Sequence, residues 1–352
     1  MISSYKYTLL FTLSLPFLFM TGCAREEIEF STFEKIDTHV HVRYSGPEFF
    51  DQAVKDNFKA VVVILDHRDI GMQHDYVEQQ KEMHPQQFIY TTAFPIAGWD
   101  DPDWQTRTID HLREAFDGGA TAVKIWKNVG MEFKDQNGNF VTIDDPKFDP
   151  IIDFIESQDK TLTAHLGEPR DCWLPLEEML GESNRQYFAG HPEYHMYLHP
   201  EYLSYEEQIA AMERMLEKHP NVRYVGCHLA SIEWSVTELA KFLDKYPNVA
   251  VDMAERIDDL QLRDSDEVRQ FFIDYQDRLL YATDFGIEEG DDAAVTMQRL
   301  HDTWMMDWNY FTTDSVMTIP DIAQPVKGLD LPPEVLKKIY RENALKWYPA
   351  LQ

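Results

Sequence analysis

The chain has 352 residues and carries 62 acidic against 32 basic side chains, which gives a formal net charge of −30. This acid excess argues against nucleic acid or an anionic membrane surface as an electrostatic partner. An apolar content of 44% provides a sizeable core and excludes wholesale disorder. Three cysteines are too few for a scaffold built on disulfides.

The first 22 residues have the pattern of an export signal. The apolar run Tyr7–Met20 follows a short segment with one positive charge, and it is too short to span a bilayer. Met20-Thr21-Gly22-Cys23 resembles the bacterial lipobox, in which the cysteine is lipidated and becomes the mature N-terminus. A cleaved signal without lipid is the alternative. Because Ala24 resembles the outer-membrane sorting pattern, we expect a lipoprotein of the cell envelope, anchored at the outer membrane through Cys23.

Eight β-rich runs follow, most of them at intervals that leave room for a helix. Helical patterns lie between several of these runs, and one helix opens with a capping-box signature, Ser204 followed by Glu207. Eight strand–helix units favour a single (β/α)8 barrel of the TIM type over a doubly wound sheet. We expect residues 23–32 to be a short tether and residues 33–352 to be one barrel domain. The predicted strands are Lys35–Val40, Lys59–Leu65, Phe88–Phe94, Ala120–Trp126, Thr161–His165, Val222–His228, Asn248–Met253 and Leu279–Asp284.

Two connectors, after the fifth and the eighth predicted strands, are longer than usual. They span residues 166–203 and 285–332 and are rich in aromatic side chains, among them Tyr187 in the first and Trp304 and Trp308 in the second. Long connectors in compact domains tend to be functional, and both follow the strand ends where barrel enzymes place their sites. We therefore expect two segments that cover the site like lids.

The residues with metal-binding chemistry gather at the C-terminal ends of the predicted strands. His39 and His41 lie two positions apart on the first strand, so both side chains point to one face. Paired imidazoles of this kind are natural ligands for a divalent transition metal. His165, His228 and Asp284 end the fifth, sixth and eighth strands. Together these five side chains predict a metal centre at the mouth of the barrel.

Small residues precede two of these side chains. Gly226 and Ala282 lie two positions before His228 and Asp284, and we expect them to leave space beneath the metal ion. Polar groups inside an apolar barrel cost several kcal/mol unless they are paired or coordinated, and a metal ion removes that cost.

This arrangement resembles the amidohydrolase superfamily, and most closely its amidohydrolase-related branch, which includes aminocarboxymuconate semialdehyde decarboxylase, resorcylate decarboxylases and several lactonases. Two further fragments support the resemblance: Leu279-Leu280-Tyr281-Ala282-Thr283-Asp284 is similar to the eighth strand of that branch, and Tyr340-Arg341-Glu342-Asn343-Ala344 to its closing helix. The resemblance covers nearly all of residues 33–349. It is specific for the superfamily and does not name a substrate.

The resemblance implies that His39, His41, His165 and Asp284 bind one divalent metal ion, which we expect to be zinc. It also implies that His228 polarises the substrate or acts as an acid or base. Zinc lowers the pKa of bound water to about 7. Asp284 would then accept the proton of that water and pass it to the leaving group.

Three further side chains are candidates for substrate binding. Lys124 ends the fourth strand, where it can bind a substrate carboxylate or hydroxyl, carry a carbamate that bridges two metal ions, or form a structural ion pair. Glu168 and Arg170 follow His165 and can contact substrate or form an exposed salt bridge.

The sequence leaves three functions open. The first is a metal-dependent hydrolase of a small lactone, ester or amide. The second is a non-oxidative decarboxylase (a carboxy-lyase), in which Lys124 and Arg170 would hold the substrate carboxylate. The third is a metal-stabilised binding lipoprotein without turnover. The expected partners are a small-molecule substrate and the membrane at the lipid anchor, and a homodimer stays open.

Overall fold

The computed structural model describes residues 28–320 and 322–351. The export signal of residues 1–22, the lipid attachment at Cys23 and the first part of the tether lie outside these residues and stay predictions. Within the two described ranges, no helix combines the length and the apolar composition needed to cross a bilayer.

The parallel strands form one curled sheet in which β1 to β8 each pair with their neighbours in sequence and β9 pairs with β1. Every predicted strand is present, and most of the observed strands end at or before the last residue of the predicted strand. A short antiparallel pair, β10 and β11, is separate from this sheet. The strands are β1 (Lys35–Arg43), β2 (Phe58–Val62), β3 (Phe88–Thr92), β4 (Ala122–Ile125), β5 (Thr161–Ala164), β6 (Arg223–Gly226), β7 (Val249–Asp252), β8 (Leu279–Leu280), β9 (Phe285–Glu288), β10 (Val316–Met317) and β11 (Val326–Lys327).

The sheet closes between its eighth position and β1. The backbone N–H of Thr38 donates to Tyr281 O at 3.0 Å, and that of Asp284 donates to His39 O at 2.9 Å. β9 follows β8 at the eighth position of the barrel and pairs in parallel with the second half of β1. The predicted (β/α)8 barrel of the TIM type is therefore confirmed.

Helices alternate with the strands, and several of them bury one apolar face. In the helix Val236–Lys245, for example, the buried residues Val236, Leu239 and Leu243 recur at three- and four-residue spacing. The capping box of Ser204 and Glu207 is formed as expected. The helices are α1 (Glu48–Lys55), α2 (Ile70–Met83), α3 (Trp104–Asp117), α4 (Asn128–Met131), α5 (Asp149–Ser157), α6 (Glu182–Gly190), α7 (Tyr205–Lys218), α8 (Cys227–Ala230), α9 (Val236–Lys245), α10 (Ile257–Gln261), α11 (Ser265–Asp274), α12 (Ala293–Thr312), α13 (Pro333–Lys337) and α14 (Asn343–Trp347).

The long segment after the eighth strand is not a lid. Half of it is β9 and α12, and the aromatic side chains that we expected over the site are buried in the core. Trp304 is fully buried and stacks on Phe58 with ring centroids 4.0 Å apart. Trp308 lies four residues later and is also buried. These rings pack α12 on the outside of the barrel.

The long segment after β5 has a small apolar cluster of its own. Cys172, Met179, Phe188 and Met196 pack together with Met131. Short 3-10 turns and α6 form most of this segment. Cys172 and Cys227 are both buried and free, so they form no disulfide.

Candidate metal centre

A cavity of about 600 Å³ opens at the C-terminal ends of the strands. It brings together most of the side chains singled out in the sequence, and Arg170 is not part of its lining. α6 and the turn after β7 supply much of the remaining wall. The predicted site residues that line it are His39, His41, Lys124, His165, Glu168, His228 and Asp284.

Hydrogen bonds fix the tautomer of His39 and His41. Nδ1 of His41 lies 2.9 Å from Val63 O, and because a carbonyl oxygen only accepts, Nδ1 carries the proton. Nδ1 of His39 lies 3.1 Å from a carboxylate oxygen of Asp252 and is held in the same way. In the neutral ring of either histidine, Nε2 is then an acceptor. Both Nε2 atoms face Oδ1 of Asp284, at 3.2 Å from His39 and 2.9 Å from His41.

His228 completes this arrangement. Its Nδ1 lies 2.8 Å from Ala254 O, so Nδ1 donates and Nε2 is left as an acceptor. That Nε2 lies 3.9 Å from Oδ2 of Asp284. One ligand atom each from His39, His228 and Asp284 lie within 4.8 Å of one another. When all three rings are neutral, three imidazole lone pairs therefore face one carboxylate.

Acceptors that face one another without a proton repel, so this cluster needs a positive charge. Oδ1 of Asp284 and Nε2 of His165 are buried atoms without a hydrogen-bond partner in the described part of the chain. Buried polar atoms of this kind need a partner, and a metal ion is one. The donor set of imidazole nitrogens and one carboxylate fits zinc and related divalent ions.

The pKa values show the same demand for positive charge. Burial and the charge of Lys124 lower the pKa of His39, but the charges of Asp284, Cys227 and Asp252 outweigh them and raise it to about 10. Without a metal ion, a proton on His39 thus supplies the missing charge. Burial lowers the pKa of His228 to about 3, so that ring is neutral.

His165 lies beside His228 on the wall formed by β5. Their ring centroids are 4.1 Å apart. Burial holds the pKa of His165 well below its ordinary value, so this ring is neutral. This ring is a further candidate ligand next to the cluster of His39, His41, His228 and Asp284.

Left-handed backbone conformations place several of these side chains. The four residues His228–Ser231 have φ between 54° and 58°, and Asp284 has φ of 64°. A left-handed residue with a side chain costs about 1–2 kcal/mol. Strain of this kind is typical of functional sites, where the surrounding structure holds it in place. Here the backbone N–H of His228 donates to Asp252 at 2.8 Å and holds the turn against β7.

Lys124 is buried beneath the centre. Its Nζ lies 2.8 Å from Sγ of Cys227, and Oγ1 of Thr163 lies 3.1 Å from the same sulfur. Of the three roles considered for Lys124, this geometry is that of a side chain paired within the protein.

Of the other two candidates for substrate binding, Glu168 lines the cavity and Arg170 does not. Glu168 lines the cavity and forms a buried ion pair with Lys127. The guanidinium of Arg170 lies over the ring of Trp234, 4.3 Å from its centroid, and Arg170 donates its backbone N–H to Glu233. Arg170 therefore supports the wall from outside the cavity.

Glu255 and Arg256 are cavity residues for which the sequence offered only a weak signal. Both follow β7, and Glu255 is held with φ of 51°. Burial raises the pKa of Glu255 to about 7, and the charge of Asp284 adds to that rise. The available signal was the position of Glu255 just after the end of a strand.

The amidohydrolase family profile matches residues 36–350. No curated protein matches the sequence. Among solved structures, 2,6-dihydroxybenzoate decarboxylase from Rhizobium aligns with a TM-score of 0.51 at 14% identity, covering 90% of this chain and 99% of that one. A complex of 2,6-dihydroxybenzoate decarboxylase with 2,6-dihydroxybenzoate gives a TM-score of 0.50 at 14% identity, with the same coverage. A 4-oxalomesaconate hydratase from Rhodopseudomonas palustris gives 0.49 at 13% identity, covering 90% and 96%.

The two likenesses to 2,6-dihydroxybenzoate decarboxylase, at 14% identity, show the fold and not the reaction. The family match extends over the whole barrel, from β1 to the closing helical turns. The chain therefore belongs to the amidohydrolase family of enzymes.

Proposed function

We propose that the chain is a metal-dependent hydrolase of a small lactone, ester or amide. The observation that carries this proposal is the convergence of three acceptor Nε2 atoms on the carboxylate of Asp284, at the floor of an open cavity. Such a cluster suits one divalent cation, and we expect zinc.

The proposed ligands are His39, His41, His165 and Asp284, with Nε2 of His228 facing the same centre. When bound, a divalent ion polarises a substrate carbonyl and lowers the pKa of bound water to about 7. The remaining chemistry belongs to the side chains of the cavity.

Asp284 is the proposed proton carrier. One side of its carboxylate faces the imidazoles, and the side chain is 20% exposed, so the cavity can reach it. It can accept the proton of the attacking water and deliver it to the leaving group. Because Nδ1 of His228 holds that ring's proton, Nε2 of His228 orients the water as an acceptor.

A non-oxidative decarboxylase is the second candidate. Three cationic side chains, Lys124, Lys127 and Arg256, line the same cavity, and such a reaction needs cations that hold a substrate carboxylate. This candidate predicts release of carbon dioxide without addition of water.

A substrate panel separates the two reactions. Metal-loaded enzyme is incubated with lactones, esters, amides and aromatic carboxylates in water labelled with heavy oxygen, and products are identified by mass spectrometry. We expect label in a product carboxylate, and Asp284→Asn to lower kcat by about 100-fold or more. Carbon dioxide release without label would replace the hydrolase with the decarboxylase.

We also propose that Cys23 anchors the protein to the outer membrane. The support is the lipobox-like segment that ends at this cysteine. In membrane fractionation, Cys23→Ser is expected to move the protein from the membrane to the soluble fraction. An unchanged distribution would contradict the anchor.

A further inference from the structure

The cations in the cavity are already paired within the chain. Nζ of Lys124 lies 2.8 Å from Sγ of Cys227, and Lys127 forms an ion pair with Glu168. An anionic substrate would have to compete with these partners. The charge of Lys127 is therefore balanced by Glu168, and Lys124 has one of its donors occupied by the sulfur of Cys227.

Arg256, the third cation, is surrounded by carboxyl groups. Its Nε lies 3.9 Å from Asp259, and the charges of Glu233 and Asp258 also act on it. Its Nη1 donates to the backbone carbonyl of Glu255 at 2.8 Å. The guanidinium of Arg256 is therefore already held by groups of the protein itself.

Glu255 supplies a carboxylate that is not used by the protein. It lines the cavity and is exposed there. Within residues 28–320 and 322–351 no hydrogen bond or ion pair reaches this carboxylate. Its position is fixed, because the preceding carbonyl, Ala254 O, accepts the Nδ1 proton of His228. The turn thus presents a carboxyl group that no described side chain or backbone group pairs with, next to the metal centre.

Aromatic rings from two segments line the same cavity. Trp126 already has Lys127 over its ring, 5.6 Å from the centroid. Tyr187 on α6 is 45% exposed, and none of the cation–ring contacts among the described residues involves it. The face of a tyrosine ring attracts cations, above all weakly hydrated ones such as ammonium groups.

We propose that the substrate carries a positively charged ammonium group, bound between the carboxylate of Glu255 and the ring of Tyr187. The carboxylate and the ring are independent observations, since Glu255 follows β7 and Tyr187 lies on α6. This inference rests on the proposed hydrolytic function, whose reacting bond would lie at the metal centre while the ammonium group lies against the wall.

Binding of matched probes tests the proposal without turnover. Choline and its uncharged carbon analogue, dimethylbutanol, have nearly the same shape, and their affinities for the metal-loaded protein are measured by calorimetry. We expect choline to bind about tenfold more tightly, the combined contribution of an exposed ion pair and one cation–π contact. Glu255→Gln is expected to reduce this preference to about twofold, and Tyr187→Leu to reduce it partly.

Glu267→Gln is the matched control, because it removes the same charge from exposed α11 outside the cavity, and it should keep the full preference. Equal binding of the two probes, no measurable binding of either, or a preference that survives Glu255→Gln would overturn the proposal. A protein that prefers choline but hydrolyses no member of the substrate panel would overturn the proposed function alone.

Discussion

Asp252 orients two histidines of the candidate metal centre at once. Its Oδ2 accepts from Nδ1 of His39 at 3.1 Å, and its Oδ1 accepts from the backbone N–H of His228 at 2.8 Å. Burial raises the pKa of Asp252, but the charge of His39 outweighs it and lowers the pKa to about 2. A carboxylate behind a ligand histidine fixes its tautomer and raises its basicity.

Asp252→Asn is expected to weaken metal binding by about 10–100-fold, because a neutral amide holds the His39 tautomer less firmly. Metal affinity is measured by competition with a chelator of known affinity. Asp153→Asn is the matched control, because Asp153 pairs with Nδ1 of His219 at 3.0 Å, on the outside of the barrel. Equal metal affinities in the two variants would contradict the role of Asp252.

At the residue level, local patterns predicted some site residues and not others. His39 and His41 could be found because a two-residue spacing on a strand sets their common face. The partnership of Asp252 with His39 joins β7 to β1 across the barrel, and no local pattern carries such a contact. The position of Glu255 after the seventh strand predicts a place near the mouth, but its exact orientation depends on a left-handed backbone that no residue type requires.

The turn α8, which follows β6, positions His228 through an unusual backbone. Four successive residues, His228–Ser231, are left-handed. Hydrogen bonds from the side chain of Ser231 to Gly167 O at 2.7 Å and from Tyr205 to Ser231 O at 2.6 Å hold the turn. Neighbouring elements therefore offset the strain of the turn.

Gly226→Ala is expected to lower the free energy of unfolding by about 1–3 kcal/mol and to reduce activity. A Cβ at Gly226 would lie 2.7 Å from Cβ and 3.2 Å from Cα of Ala230, inside this turn. Chemical denaturation measures the change. Gly190→Ala is the control, since its Cβ would meet no atom within 4 Å. Wild-type stability and activity in Gly226→Ala would contradict this account of the turn.

The contact with Ala230 also corrects one expectation. We expected Gly226 to leave space beneath the metal ion, whereas the structure shows that the glycine makes room for the turn itself.

At the element level, strand periodicity predicted all eight barrel strands but not their ends. The eighth strand stops at Leu280, and Asp284, where the sequence predicted its end, has a left-handed backbone. α12 was interpreted as part of a lid because its aromatic residues suggested contact with substrate. The four-residue spacing of Trp304 and Trp308 is nevertheless helical, and that was the available signal.

For the whole molecule, a buried acid network joins the closing seam of the barrel to α12. Asp37 accepts hydrogen bonds from Thr283 at 2.7 Å and from the indole of Trp304 at 3.1 Å. Tyr281 donates to Asp307 on α12 at 2.7 Å. Burial raises the pKa of Asp37 to about 6 and that of Asp307 to about 7.

These raised pKa values predict a pH-dependent stability. The folded state holds a proton on Asp307 up to about pH 7, whereas the unfolded chain loses it near 3.8. The stability from this group is therefore fully present below pH 3.8 and is lost as the pH rises through 7. At about 1.4 kcal/mol per pKa unit, the loss is of the order of 4 kcal/mol.

Asp307→Asn should flatten the fall in the free energy of unfolding between pH 4 and 7, since the amide stays neutral. Denaturant titrations at several pH values measure this slope. Asp302→Asn on the exposed side of α12 is the control and should keep it. An unchanged slope in Asp307→Asn would show that Asp307 is ionised in the folded protein.

The central claim is that the mouth of the barrel holds a divalent metal ion, and metal content tests it most directly. Purified protein is analysed by inductively coupled plasma mass spectrometry, together with a His39→Ala/His41→Ala variant and a His301→Ala control, whose histidine pairs with Asp56 outside the site. We expect about one metal ion per chain in the wild type and in the control, and almost none in the double variant. Full metal content in a folded His39→Ala/His41→Ala protein would contradict the account.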